Sequence, residues 1–264
     1  MSEIKISNAN SGTGKLTDKV ALVTGGGGGI GRVTALAYAA AGARVAVVDI
    51  NAAAAQAVAE EITASGGDAI SITADLTRSE QVETMVEQVV ARYGSLDIAF
   101  NNAGIEIEQA PLAKISEDTF DDLMDVNVKG VWLCMKYEIE QMLKQGGGSI
   151  VNTSSIGGLI GAPRQPVYGS TKHAVLGLTK AAAVEYARKG IRINAVCPGV
   201  IRTAMMSRAI EREPKREQYI AQMHPIGRVG EAEEVAKAVV FLSSDDASFV
   251  VGVALPVDGG YTAM

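Results

Sequence analysis

In the segment YGSTK a phenol, Tyr168, and an ammonium, Lys172, stand four residues apart. On a helix, positions i and i+4 share a face, so the two tips would lie close in space. A free phenol has a pKa near 10, too high for a base near neutrality, and a cation within about 4–6 Å favours the phenolate. Tyr168 is therefore expected to be made acidic by Lys172 and to give or take a proton at a reacting oxygen. Two serines, Ser154 and Ser155, end the run SIVNTSS and are candidates for holding that oxygen. A serine hydrolase is not supported: there is no G-x-S-x-G, and His173 has no assigned partner.

A second cluster is TGGGGGIGR, residues 24–32. Gly26, Gly28 and Gly31 satisfy G-x-G-x-x-G, while Thr24, Gly25, Gly29 and Gly31 satisfy T-G-x-x-x-G-x-G. Either pattern permits a tight turn and a close approach of backbone to a pyrophosphate, with the N–H groups of a following helix receiving it. Asp49 ends the next β-type run, where a carboxylate can accept hydrogen bonds from an adenosine ribose and would repel a 2′-phosphate. The turn at 26–28 holds no Arg or Lys, and Arg32 is the nearest cation in sequence. NAD is expected over NADP. Asp75-Leu76 and Asn101-Asn102-Ala103-Gly104 each follow a strand-like run, where by themselves they read equally well as turns.

These residues need a frame. Apolar runs at 19–25, 43–49, 69–75, 95–102, 149–155, 191–199 and 254–260 read as strands. Helical patterns fill 30–41, 51–65, 79–93, 116–145, 166–189 and 231–243, with Asn51 and Ser116 as caps, Ser79 opening the third, and glycines as stops. Strands apolar on both faces, alternating with helices, predict an α/β fold with a single doubly wound parallel sheet and helices on both faces. Residues 1–15 read as a flexible extension and 16–264 as a single domain. Ligands of such sheets bind at the carboxyl ends of the strands, where the candidate residues fall. Residues 202–224 read as a polar excursion carrying Met205 and Met206.

Composition narrows the function. A net charge of −6 without a basic block argues against nucleic acid or an anionic membrane as partner. No apolar run reaches the roughly 18 residues of a membrane span, and the polar start does not read as a secretory signal. Cys134 and Cys197 are far apart in apolar stretches, which suits reduced thiols and a cytoplasmic setting. The two histidines and two cysteines form no metal-ligand spacing.

Thr24-Gly25-x-x-x-Gly29-Ile30-Gly31, Asn101-Asn102-Ala103-Gly104, Ser155 thirteen before Tyr168, Tyr168-x-x-x-Lys172 and Pro198-Gly199 occur in that order. Over about residues 17 to 261 the chain resembles the compact short-chain dehydrogenase/reductase family, which implies a Rossmann-like fold. The resemblance implies Tyr168 as acid/base, Lys172 as the cation beside it and a ribose ligand, and Ser155 rather than Ser154 as the oxygen holder. It implies that Asn127, in VNVKG, kinks the long helix and holds a relay water. Gly25, Gly29, Ile30, Gly31 and Asp49 would hold the adenosine end. Asp75 and Leu76 would line the adenine, Asn102, Ala103 and Gly104 the ribose, and Pro198, Gly199, Val200 and Thr203 the nicotinamide. The implied activity is NAD-dependent interconversion of a secondary alcohol and a ketone, in a homotetramer. An epimerase or dehydratase would usually need a larger C-terminal substrate domain, and a dinucleotide sensor would have no use for an intact Ser155, Tyr168 and Lys172. The substrate pocket is expected from Ile156–Gly158, Arg164, Gln165, Val200 and the 202–224 segment, with Glu106, Glu108 and His224 as added polar contacts.

Overall fold

Val, Ile and Ala on both faces of short runs leave no strand a wet side, and such strands stack in parallel beneath helices. In a computed structural model of the chain, which describes residues 14–202 and 214–264, seven of them do so. They are β1 (Val20–Thr24), β2 (Arg44–Asp49), β3 (Ala69–Thr73), β4 (Ile98–Asn101), β5 (Gly148–Thr153), β6 (Ile191–Pro198) and β7 (Ala254–Val257). The order is β3-β2-β1-β4-β5-β6-β7, all parallel. The direction of winding reverses between β1 and β4, which opens a crevice at their carboxyl ends. In register, Thr24 pairs with Asn101, and Asn101 with Asn152.

The helices are α1 (Gly29–Ala40), α2 (Ala52–Ala64), α3 (Ser79–Tyr93), α4 (Glu117–Met124), α5 (Val131–Gln145), α6 (Pro166–Tyr186), α7 (Pro214–Gln222) and α8 (Ala232–Ser243). One face of the sheet packs on α3, α5 and α6 through Met85, Val89, Met142, Ile150 and Val175. The other packs on α1, α2 and α8 through Tyr38, Ile62, Phe100, Val151 and Leu242. Each such side chain, fully buried, contributes roughly 1.5–3 kcal/mol relative to exposure. The doubly wound α/β sheet predicted from the sequence is the one observed.

Two local readings change. The stretch 116–145 is not one helix: Ser116 caps α4 by accepting from Thr119 N, but a π-helical segment, Asp125–Gly130, separates α4 from α5. Such bulges interrupt the regular ladder and cluster at functional sites. Ser79 opens α3 as expected, with Arg78 as the N-cap residue and the Ser79 hydroxyl 2.8 Å from the Tyr137 hydroxyl. The excursion at 202–224 contains α7. The N-terminal extension up to residue 13, Thr203, Met205 and Met206 lie outside the described residues. Behind the crevice, the fully buried Glu138 on α5 accepts from Asn101 Nδ2, which also donates to Asn152 and so ties β4 to β5. Burial pushes the Glu138 carboxyl up to about 8, against the lowering effect of Asn101.

Candidate active site

Helix α6 begins with a proline in its first turn and carries Tyr168 and Lys172 on one side. Lys172 Nζ lies 5.6 Å from the centre of the Tyr168 ring. Only 4% of Lys172 is exposed, and its Nζ donates to Thr153 O at the end of β5, at 3.1 Å. The expected acidification is not what this environment gives. Burial pushes the Tyr168 phenol up to about 12; a hydrogen bond with Ser155 opposes the rise and the Glu106 charge adds to it. Burial also brings Lys172 down to about 8, against Cys197 and Glu106. Low-polarity surroundings penalise the charged form of each group, and this is the largest influence on both. At neutral pH Tyr168 is a proton donor beside an ammonium.

The two serines separate cleanly. Ser154 is 2% exposed and donates to Lys172 O at 2.9 Å, so it braces α6. The Ser155 hydroxyl accepts from Gly157 N at 3.1 Å and lies close enough to the Tyr168 phenol to hold its pKa down. His173 Nδ1 lies 2.9 Å from Gly169 O, within its own helix. Asn127 sits in the π-helical segment. Its Oδ1 accepts from Ile105 N and its Nδ2 donates to Ile105 O, both at 2.8 Å, with Thr171 Oγ1 at 3.3 Å. One amide thus fixes the loop after β4 next to Lys172.

The glycine turn fits a dinucleotide. Gly25 adopts φ +61°, a left-handed conformation natural to glycine, and a Cβ on Gly31 would come 2.1 Å from Gly25 O. Gly29, Ile30 and Gly31 open α1, whose first turn has no side-chain cap and no acidic residue, so its N–H groups face the crevice ready for an anion. Asp49 receives Gly27 N at 3.0 Å and Asn51 N at 2.9 Å, so its carboxylate also shapes the turn. Asn102 donates through Nδ2 to Thr24 O at 3.2 Å, and Thr24 Oγ1 accepts from Asn102 N and Ala103 N at 3.0 and 3.2 Å. These bonds hold the ends of β1 and β4 together. A Cβ on Gly104 would come 3.4 Å from Lys172 Nζ, which ties that end to the phenol. Asp75 lies at the far side, accepting from Thr77 N at 3.0 Å, and Leu76 packs against Gly130. Pro198 ends β6; Gly199 N donates to Val257 O at 3.0 Å.

Three residues named as added contacts have more definite tasks. Glu108 is 1% exposed, and its two oxygens accept from Val167 N at 3.1 Å and Tyr168 N at 2.7 Å. Glu106 accepts from Gln165 Nε2. His224, 3% exposed, uses Nε2 to accept from Val200 N at 3.3 Å, which anchors the strip after Pro198. The run I-E-I-E at 105–108 gives no local sign of these partners, since it lies in a loop and leaves Glu106 exposed and Glu108 buried.

Comparison with known proteins agrees with this geometry. The family model described as enoyl-(acyl carrier protein) reductase matches residues 25–262. The chain is 48% identical over 250 residues to 2,5-dichloro-2,5-cyclohexadiene-1,4-diol dehydrogenase of Sphingobium indicum, covering 94% of this chain and 99% of that protein. It is 49% identical over 249 residues to cyclohexanol dehydrogenase of an Acinetobacter species, covering 94% and 97%. The solved structure of ElxO with NADP bound superposes with a TM-score of 0.90 at 38% identity, covering 93% of this chain and 99% of that one. The chain belongs to the short-chain dehydrogenase/reductase family, as an oxidoreductase that acts on CH–OH groups with a nicotinamide dinucleotide.

Proposed function

We propose that the chain is an NAD-preferring dehydrogenase of cyclic secondary alcohols, with Ser155, Tyr168, Lys172 and Asn127 as its catalytic group. The observation that carries this is the Tyr168 ring, its centre 5.6 Å from the buried Lys172 Nζ, which Thr153 O holds at the end of β5 next to Ser155. The bound nicotinamide would accept or give the hydride. Ser155 holds the substrate oxygen. Tyr168 gives its proton to that oxygen during ketone reduction and takes one from it during alcohol oxidation. Lys172 holds the nicotinamide ribose, and Asn127 fixes the loop that closes over it. Gly25, Gly29, Ile30 and Gly31 receive the pyrophosphate, Asp75 and Leu76 the adenine, and Asn102, Ala103 and Gly104 the adjoining ribose. Pro198, Gly199 and Val200 would line the nicotinamide, the role that the family resemblance also implies for Thr203, which lies outside the described residues.

Two facts favour NAD over NADP. Asp49 stands at the end of β2, where a 2′-phosphate would meet its charge. Arg32, the nearest cation in sequence, donates to both oxygens of Glu61 at 2.7 Å. The relatives named for cyclohexanol and for a cyclohexadienediol favour a ring carbinol. Among the described residues no helix is long and apolar enough to cross a membrane. A cytoplasmic homotetramer, with residues 16–264 as a single domain, completes the reading. The test is NADH or NADPH formation with a panel of cyclic alcohols. kcat/KM should favour NAD by at least about tenfold, near 1.4 kcal/mol, and Asp49→Ala should narrow the gap. A preference for NADP would contradict the assignment.

A further inference from the structure

The loop after β4 is fastened at four of the five residues 105–109, Ile105 to the π-helical segment and Glu106, Glu108 and Gln109 to the start of α6 and the residues just before it. Ile105 is clamped by Asn127 through both backbone groups. Glu106 accepts from Gln165 Nε2, and Glu108 from the backbone of Val167 and Tyr168. Gln109 O accepts from Arg164 Nη2 at 2.7 Å, with Arg164 held at φ +67°. A non-glycine residue in that region costs of order 1–3 kcal/mol and persists where the surroundings over-determine it. The loop is therefore a rigid strap, and what it presents to the catalytic tyrosine is held in place.

It presents Glu106. The residue is exposed, unlike Glu108, so a ligand can reach it. Its Oε1 is occupied by Gln165, while Oε2 has no hydrogen-bond partner among the described residues. Its partner Gln165 is the N-cap residue of α6, three positions before Tyr168, which places the carboxylate at the reacting end of that helix, and its charge raises the pKa of both Tyr168 and Lys172. For the bare reaction this is a poor choice, because a carboxylate beside the phenol opposes formation of the phenolate that alcohol oxidation needs. A bound hydroxyl gives the carboxylate a purpose: a charge-assisted hydrogen bond is about twice as strong as a neutral one and demands a donor at one place.

We propose that Glu106 selects the substrate, its free oxygen accepting a hydrogen bond from the second hydroxyl of a diol or polyol whose first carbinol lies on Ser155 and Tyr168. This rests on the alcohol-dehydrogenase reading above and specifies its substrate class. The same carboxylate turns away anionic substrates such as carboxylates and phosphate esters.

The test compares cyclohexanol with cyclohexane-1,2-diol and cyclohexane-1,4-diol, using wild type and Glu106→Gln over a range of pH. Wild type should prefer one of the diols in kcat/KM. Glu106→Gln should lower that diol's kcat/KM about tenfold, chiefly through KM, which is about the loss of one hydrogen bond to a charged group. With cyclohexanol the same variant should oxidise faster at neutral pH, its profile shifted to lower pH, because the opposing charge is gone. A scaffold residue would give equal losses on all three substrates and an unmoved pH profile, and that result would overturn the proposal. So would a wild type without preference for either diol. Turnover of none of these alcohols would instead overturn the parent reading, and this one with it.

Discussion

Tyr168 and Lys172 are both shifted toward their neutral forms by burial, and this sets how the two directions of reaction respond to pH. Below about pH 8 Lys172 keeps its ammonium, and the phenol, pushed up to about 12, keeps its proton. Ketone reduction needs both, so its kcat/KM should be greatest below about 8 and decline as Lys172 loses its charge. Alcohol oxidation needs the phenolate, whose fraction grows with pH toward 12, so its optimum should lie on the alkaline side of the reduction optimum. Lys172→Met should remove the decline of reduction near pH 8 and weaken NADH binding. Rate profiles in both directions, with an NADH fluorescence titration, check this; coincident optima would contradict it. The Tyr–Lys pair was legible from a spacing of four on an expected helix. The sign of its shift was not, because desolvation depends on what covers α6, and Thr153, Ser155 and Glu106 come from other parts of the chain. Glu108 was visible as a residue but not as the clamp on Tyr168 N, since its partners lie about 60 residues further on.

Among the elements, strands and most helices could be read from apolar runs and their glycine or cap boundaries. Asn51, Ser116 and the positive-φ glycines Gly94, Gly146 and Gly190 do what their types suggest. The break between α4 and α5 is different. Apolar spacing continues through 116–145, and the break falls where Asn127 bonds Ile105, twenty-two positions away. The resemblance to a known family implied the kink; local pattern did not. That pair is also the root of the strap that carries Glu106 and Glu108. Asn127→Ala should strand the two Ile105 backbone groups and cost roughly 1–3 kcal/mol of stability. Urea unfolding should show it as a lower midpoint at unchanged slope, accompanied by a fall in kcat. An unchanged midpoint would mean that the loop is held by other contacts.

On the scale of the molecule, the sheet order brings β1, β4 and β5 side by side, so that the glycine turn, Asn102 and the Ser155–Tyr168–Lys172 group share one edge. Fold class followed from the alternation of elements; the partner of each strand did not, because parallel strands far apart in sequence carry no local pairing signal. Some apolar surface is left outside. Trp132 on α5 is 48% exposed, Val184 on α6 is 82% exposed, and Phe249 is fully exposed. A second copy can cover such faces, and with the homotetramer reading light scattering at micromolar protein should give about four times the 27.4 kDa of one chain. A mass of one chain would contradict that assembly. The most direct test of Tyr168 as the proton donor is steady-state turnover of Tyr168→Phe with NAD and a cyclic alcohol, read beside NADH binding to the same variant. Turnover should fall by at least the roughly 10²–10⁴-fold typical of a lost acid/base group, with NADH affinity nearly intact. Near-normal turnover in that variant would contradict the assignment of the site.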